Sequence, residues 1–149
     1  MRWRFADKVT AFEPWTRIEG CKCVSLEEYS LLEPQGREGE FPESLLLECC
    51  VQFARWLVGA SSGFKQTGEL AAVGSFRFDQ TVRAGQVIRI TATTTSRSDK
   101  LLETCCEAVQ PSGRVGTGVL EFRIVPLTAF QDPGSMRILW KEIRGQAEK

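Results

Sequence analysis

Three polar side chains stand inside the most apolar stretch of the chain. From Pro42 to Val58 the sequence reads PESLLLECCVQFARWLV, and Glu48, Gln52 and Arg55 fall four and then three residues apart. On a helix that spacing lines them up along one stripe. A helix apolar on nearly every other side is normally buried, and a carboxylate is costly to bury unless it is paired, protonated or used. Glu48 therefore has two readings. Either it meets a structural partner such as Arg55 or reaches the helix edge, or it is an acid or base held in a dry pocket beside Gln52.

The chain contains no histidine. Ser-His and Cys-His nucleophile pairs and His-ligated zinc sites are thereby excluded, and any chemistry must rest on carboxylates, amides, thiols, hydroxyls or backbone groups. Six cysteines occur as Cys21 and Cys23, Cys49 and Cys50, and Cys105 and Cys106. None is spaced Cys-x-x-Cys, and adjacent cysteines point in different directions. They are expected to be reduced, mostly buried thiols with no bound metal.

The elements that must position the stripe follow from pattern. Phe5 to Phe12 and Arg17 to Val24 read as strands around a turn at Glu13-Pro14-Trp15-Thr16. Ser25 to Phe41 reads as a loop with, at most, a helical turn at Leu26 to Leu32. Pro42 suits a first helical turn, Glu43 suits the positive end of the helix dipole, and Gly59 to Gly63 is a stop signal. Strands are then expected at Glu69 to Phe78, from Gly85-Gln86 onward, and as a hairpin of Leu101 to Val109 with Arg114 to Val125. Asp132-Pro133-Gly134-Ser135 opens an amphipathic C-terminal helix. The fold class is α+β, one antiparallel sheet curled around a single long helix, with residues 1–126 as the main domain and 127–149 as a helical extension. A lone helix leaves a sheet edge unpaired, which is expected to join a second copy as a homodimer or a higher oligomer of dimers.

With 149 residues the chain can bury about 70% of its unfolded surface. Its 19 basic and 19 acidic residues balance, which argues against nucleic-acid binding. No apolar run is long enough for a membrane span, and the opening Met-Arg-Trp-Arg-Phe-Ala-Asp lacks the apolar core of a signal peptide, so a cytoplasmic location is expected.

Three stretches resemble the hotdog fold and, within it, the 3-hydroxyacyl-acyl carrier protein dehydratases of fatty-acid synthesis. Asp7-Lys8-Val9 through Arg17-Ile18 is similar to the family's opening hairpin. Pro42, Leu45-Leu46-Leu47-Glu48 and Gln52 match its central-helix motif, and Arg77-Phe78 with Val82 and Gly85 match the following strand and turn. The resemblance implies a site at a dimer interface, with Glu48 as the catalytic carboxylate, Gln52 as its amide neighbour, and helix N-terminal N–H groups polarising a thioester carbonyl. It implies no cofactor. The family's catalytic histidine is absent: Pro34 stands in its place, preceded by Glu33, and Glu43 replaces the glycine that follows the helix-starting proline.

Three functions fit these residues. The first is a divergent dehydratase, with Glu48 acting alone or with Glu38 or Glu40. The second is a hotdog thioesterase using Glu48 as base or nucleophile, and the third a non-catalytic acyl-binding subunit. Leu45, Cys49, Phe53, Phe76 and Phe78 are candidates to line an acyl tunnel, although each is also ordinary core material. The partner is an acyl carrier protein or a coenzyme A thioester. A basic rim including Arg77, Arg83, Arg97 and Lys100 would favour the acidic carrier protein.

Overall fold

The computed structural model describes residues 4–25 and 40–145. The sequence-predicted helical turn at Leu26 to Leu32, together with Glu33, Pro34 and Glu38, lies outside the described residues. Strands β1 (Lys8–Glu13) and β2 (Arg17–Cys23) form the opening hairpin. Its turn places Trp15 at a φ of 59°, and the Trp15 N–H donates to Ser61 Oγ at 2.7 Å. That bond fastens the hairpin to the far end of the central helix.

The six-stranded antiparallel sheet runs in the order β1-β2-β6-β7-β8-β4. Here β4 is Gln66–Phe78, β6 Val87–Arg97, β7 Leu101–Gln110 and β8 Gly113–Pro126. Period-two patterning builds it: Ile88, Ile90 and Ala92 of β6 face inward, as do Leu102, Thr104, Cys106 and Ala108 of β7. Strand β4 closes one edge, and its register against β8 shifts between Leu70 and Ala72 and again between Val73 and Ser75. Such shifts bend a strand and re-aim its side chains. Leu70 and Val73 on β4 are exposed at 39% and 43%.

The central helix α1 spans Glu43–Ser61 and packs against β2, β4, β6, β7 and β8. Leu46, Cys49, Cys50, Phe53, Leu57 and Val58 join Ile18, Ile88, Ile90, Leu102, Leu120 and Phe122 in one core. Each large side chain fully buried there contributes roughly 1.5–3 kcal/mol. Phe53 lies so close to the sheet that a Cβ on Gly20 would come within 2.6 Å of its ring and 2.1 Å of the Lys8 carbonyl oxygen. Gly20 is thus required by close approach.

The helix ends at Ser61, inside the expected stop signal at Gly59 to Gly63. Ser62 N–H still donates to Val58 O at 3.0 Å, and the left-handed pair Gly63 and Phe64, at φ 64° and 62°, then reverses the chain into β4. One small pairing was missed: β3 (Glu40–Phe41) and β5 (Val82–Arg83) form a two-stranded ribbon, too short for alternation to register. The expectation of a helix enclosed on nearly every side also fails. Leu45, Leu47, Glu48, Gln52 and Arg55 are only half-buried, because the sheet covers one face and leaves a flank open. Nor are the thiols mostly buried, since Cys23 and Cys105 are exposed and Cys21 half-buried.

The C-terminal helix α2 (Pro133–Arg144) starts where its cap predicts. Asp132 Oδ2 accepts from the Ser135 N–H at 2.8 Å and from its hydroxyl at 2.9 Å. Ile143 is fully buried, and Trp140 stacks on Trp56 of α1 at 5.7 Å and meets Phe12 edge-on at 5.1 Å. Among the described residues, no helix is long and apolar enough to cross a membrane.

Candidate active site

Of the three stripe residues, the structure brings together two. Gln52 Nε2 donates to Glu48 Oε1 at 3.2 Å, and Gln52 Oε1 accepts the backbone N–H of Phe5 at 2.9 Å. The amide thus ties the N-terminal segment to the helix and presents its NH2 group to the carboxylate. Arg55 turns the other way, its Nε–H donating to the Gly68 carbonyl of β4 at 3.0 Å. The expected structural partner is therefore not Arg55. Among the described residues Glu48 has no cationic partner, and it is half-buried rather than sealed in a dry pocket.

The helix start opens onto the larger cleft. Pro42 caps α1 with φ −60° and ψ 141° and no side-chain cap, and Leu45 N–H and Leu46 N–H both donate to Pro42 O, at 3.0 and 3.1 Å. Nothing within the helix satisfies the amides of Glu43 and Ser44, and both residues line the cleft, whose volume is about 520 Å³. At this end the helix dipole favours negative charge. Ser44 and Glu48 are four residues apart, neighbours on one flank, so the carboxylate stands a turn below the open amides. Glu48 itself is not one of the residues that line the cleft.

The cleft walls come from residues that sequence reasoning passed over. Asp79, Gln80 and Thr81 form one side, held by Asp79 N–H to Val115 O at 2.7 Å. Arg114 and Arg77 both bond the Asp79 carboxylate, at 2.8 and 3.0 Å; the Arg114 hydrogen bond is the main reason the Asp79 carboxyl sits below the usual aspartate range. Ser112 Oγ and Gln110 Nε2 both donate to Gln80 Oε1, at 2.8 and 3.0 Å. The only sequence signal for this wall was the loss of strand alternation after Phe78. Glu40, first read as a loop residue, borders the cleft from β3.

The expected tunnel residues divide. Phe78 lines the cleft, and its ring lies 5.1 Å from that of half-buried Phe76. Leu45 is half-buried on the open flank of α1. Cys49 and Phe53 are fully buried between helix and sheet and belong to the core. Arg77 is exposed but engaged by Asp79, whereas Arg83 is exposed on β5 beside the cleft-lining Val82. Arg97 lies over the Trp15 ring, 4.6 Å from its centroid, away from this cleft.

No family model matches the chain, and no curated protein matches it in sequence. Solved structures do match. A Streptococcus mutans protein bound to acetyl CoA superposes with a TM-score of 0.67 at 9% identity, over 85% of this chain and 94% of that one. The fluoroacetyl-CoA thioesterase FlK gives 0.68 at 12% identity, over 88% and 98%. A hot-dog-like protein from Thermanaerovibrio acidaminovorans gives 0.65 at 17%, over 87% and 92%. At these identities the likeness establishes the fold: the chain has the hotdog fold.

Proposed function

We propose that this protein hydrolyses acyl thioesters of coenzyme A, with Glu48 as the catalytic carboxylate. The observation that carries the reading is the setting of Glu48: a carboxylate held by the Gln52 amide, with no cation on it among the described residues, a turn below a helix N-terminus whose first amides are open. A carboxylate not tied up by a guanidinium remains available to take a proton. In the proposed step Glu48 accepts a proton from a water whose oxygen attacks the thioester carbonyl carbon. The Glu43 and Ser44 amides receive the developing oxyanion. The C–S bond then breaks, and the thiolate leaves with the proton returned by Glu48. Gln52 holds the carboxylate in position, and Phe78 with Phe76 and Leu45 accommodates the acyl group.

Support for the thioester class comes from the fold neighbours, among them FlK and a Streptococcus pneumoniae hypothetical thioesterase solved with coenzyme A. Arg83 is the proposed contact for the carrier's phosphates, with Arg77 in support. We further propose a homodimer formed along the outer edge of β4, which covers Leu70 and Val73 and satisfies the open strand edge.

The dehydratase reading, with acyl carrier protein as partner, stands second. It rests on the Pro42, Glu48 and Gln52 match and requires a second proton-transfer group, for which Glu40 is the described candidate. One experiment separates the readings: purified protein is given acyl-CoA and 3-hydroxyacyl thioesters while released thiol and enoyl absorbance are followed together. Thiol release without enoyl formation supports hydrolysis, and enoyl formation supports the dehydratase. Binding without either product overturns both in favour of a non-catalytic acyl-binding subunit.

A further inference from the structure

A second cleft, of about 270 Å³, opens between the C-terminal half of α1 and α2. Its walls are apolar, built from Trp56, Phe64, Leu127, Met136 and Leu139. Two arginines border it and, among the described residues, no carboxylate does. Arg4 is already compensated, with Nη1 on Glu142 of α2 at 3.2 Å. Arg55 is not. Its Nε–H donates to Gly68 O, and among the described residues its two terminal amino groups make no hydrogen bond or ion pair. A guanidinium offers five donors in a planar fork that suits a carboxylate, and leaving them unmet in a half-buried apolar cleft is costly.

We propose that this cleft binds a short- to medium-chain aliphatic carboxylate, the carboxylate on Arg55 and the chain against the Trp56, Met136 and Leu139 walls. Charge complementarity selects the anion, and the apolar walls select an aliphatic body. The volume, just below that of typical drug-sized pockets, limits its length. Because α2 supplies one wall, the C-terminal extension is what creates the site. Gln52 lines the same cleft while its amide holds Glu48, so a bound carboxylate would sit next to the proposed catalytic stripe. The inference needs no turnover.

The test is calorimetric titration of the full chain with octanoate, octanol and octylamine. Octanoate is expected to saturate one site per chain about tenfold more tightly than octanol, as a charge-assisted bidentate contact implies, and octylamine is expected not to bind. Arg55→Met, which keeps an apolar stem, should bring octanoate down to the level of octanol. Met136→Trp should fill the cleft and abolish both. Equal affinity for octanoate and octanol, undiminished octanoate binding in Arg55→Met, or no saturable binding to the unaltered protein would overturn the proposal. Should Arg55→Met fail to fold once Gly68 O loses its donor, the comparison of the three ligands and the Met136→Trp block still decide it.

Discussion

Gln52 stands between Phe5 and Glu48, accepting the backbone N–H of one at 2.9 Å and donating to the carboxylate of the other at 3.2 Å. One amide thus links the start of the chain to the carboxylate proposed for catalysis. Neither Asp nor Leu could replace it, since the two bonds need an acceptor and a donor on one planar group.

Glu48→Gln should abolish thioester turnover while leaving folding and ligand binding nearly unchanged, because the amide keeps the shape and loses the proton chemistry. Steady-state thiol release and a thermal melt read both quantities. Unchanged turnover would remove Glu48 from the site.

Gln52→Leu removes the side-chain acceptor of the Phe5 N–H and the donor that holds Glu48. A stability loss of roughly 0.5–1.5 kcal/mol is expected from the lost hydrogen bond, along with a fall in kcat larger than any change in KM. Urea unfolding paired with kinetics tests the two effects separately.

Val73→Lys on β4 places like charges near one another if two copies pair along that edge. The unaltered protein should sediment as a dimer and the variant as a folded monomer. A variant that sediments like the unaltered protein would locate the interface elsewhere.

In the native protein Cys23 and Cys105 should react quickly with a thiol reagent and half-buried Cys21 more slowly. Cys49, Cys50 and Cys106 should react only on unfolding. Cys50 and Cys106 meet across the helix-sheet packing, where a hydrogen bond to Cys106, reinforced by burial, pushes the Cys50 thiol well above its ordinary value. Titration of denatured, unreduced protein should find all six thiols.

Hydrogen bonds from Ser135, the backbone N–H first, hold the Asp132 carboxyl below the usual aspartate range. A depressed folded value means that this cap stabilises fully above the unfolded pKa and is lost as pH falls through the folded one. The start of α2 should therefore loosen in acid, seen as faster amide exchange there. Asp132→Asn keeps a capping oxygen without titrating and should remove that pH dependence.

Much of this was legible in the sequence because it depends on local chemistry. The Asp132-Pro133-Gly134-Ser135 stretch marked where α2 starts, and alternation at Ile88, Ile90 and Ala92 marked the inner face of β6. The Glu48–Gln52 spacing alone placed those side chains within reach, since residues four apart on a helix are neighbours. Tertiary structure decided what spacing leaves open. Whether Arg55 turns to Glu48 or to Gly68 depends on where β4 crosses the helix, a contact between residues 13 apart in sequence. Which apolar residues are core and which line a cleft depends on what the sheet covers: Cys49 and Phe53 face it, and Leu45 does not. The cleft wall at Asp79 to Thr81 exists only because β3 and β5 pair and Val115 holds the turn. These are long-range packing outcomes, and no periodicity within a single element encodes them.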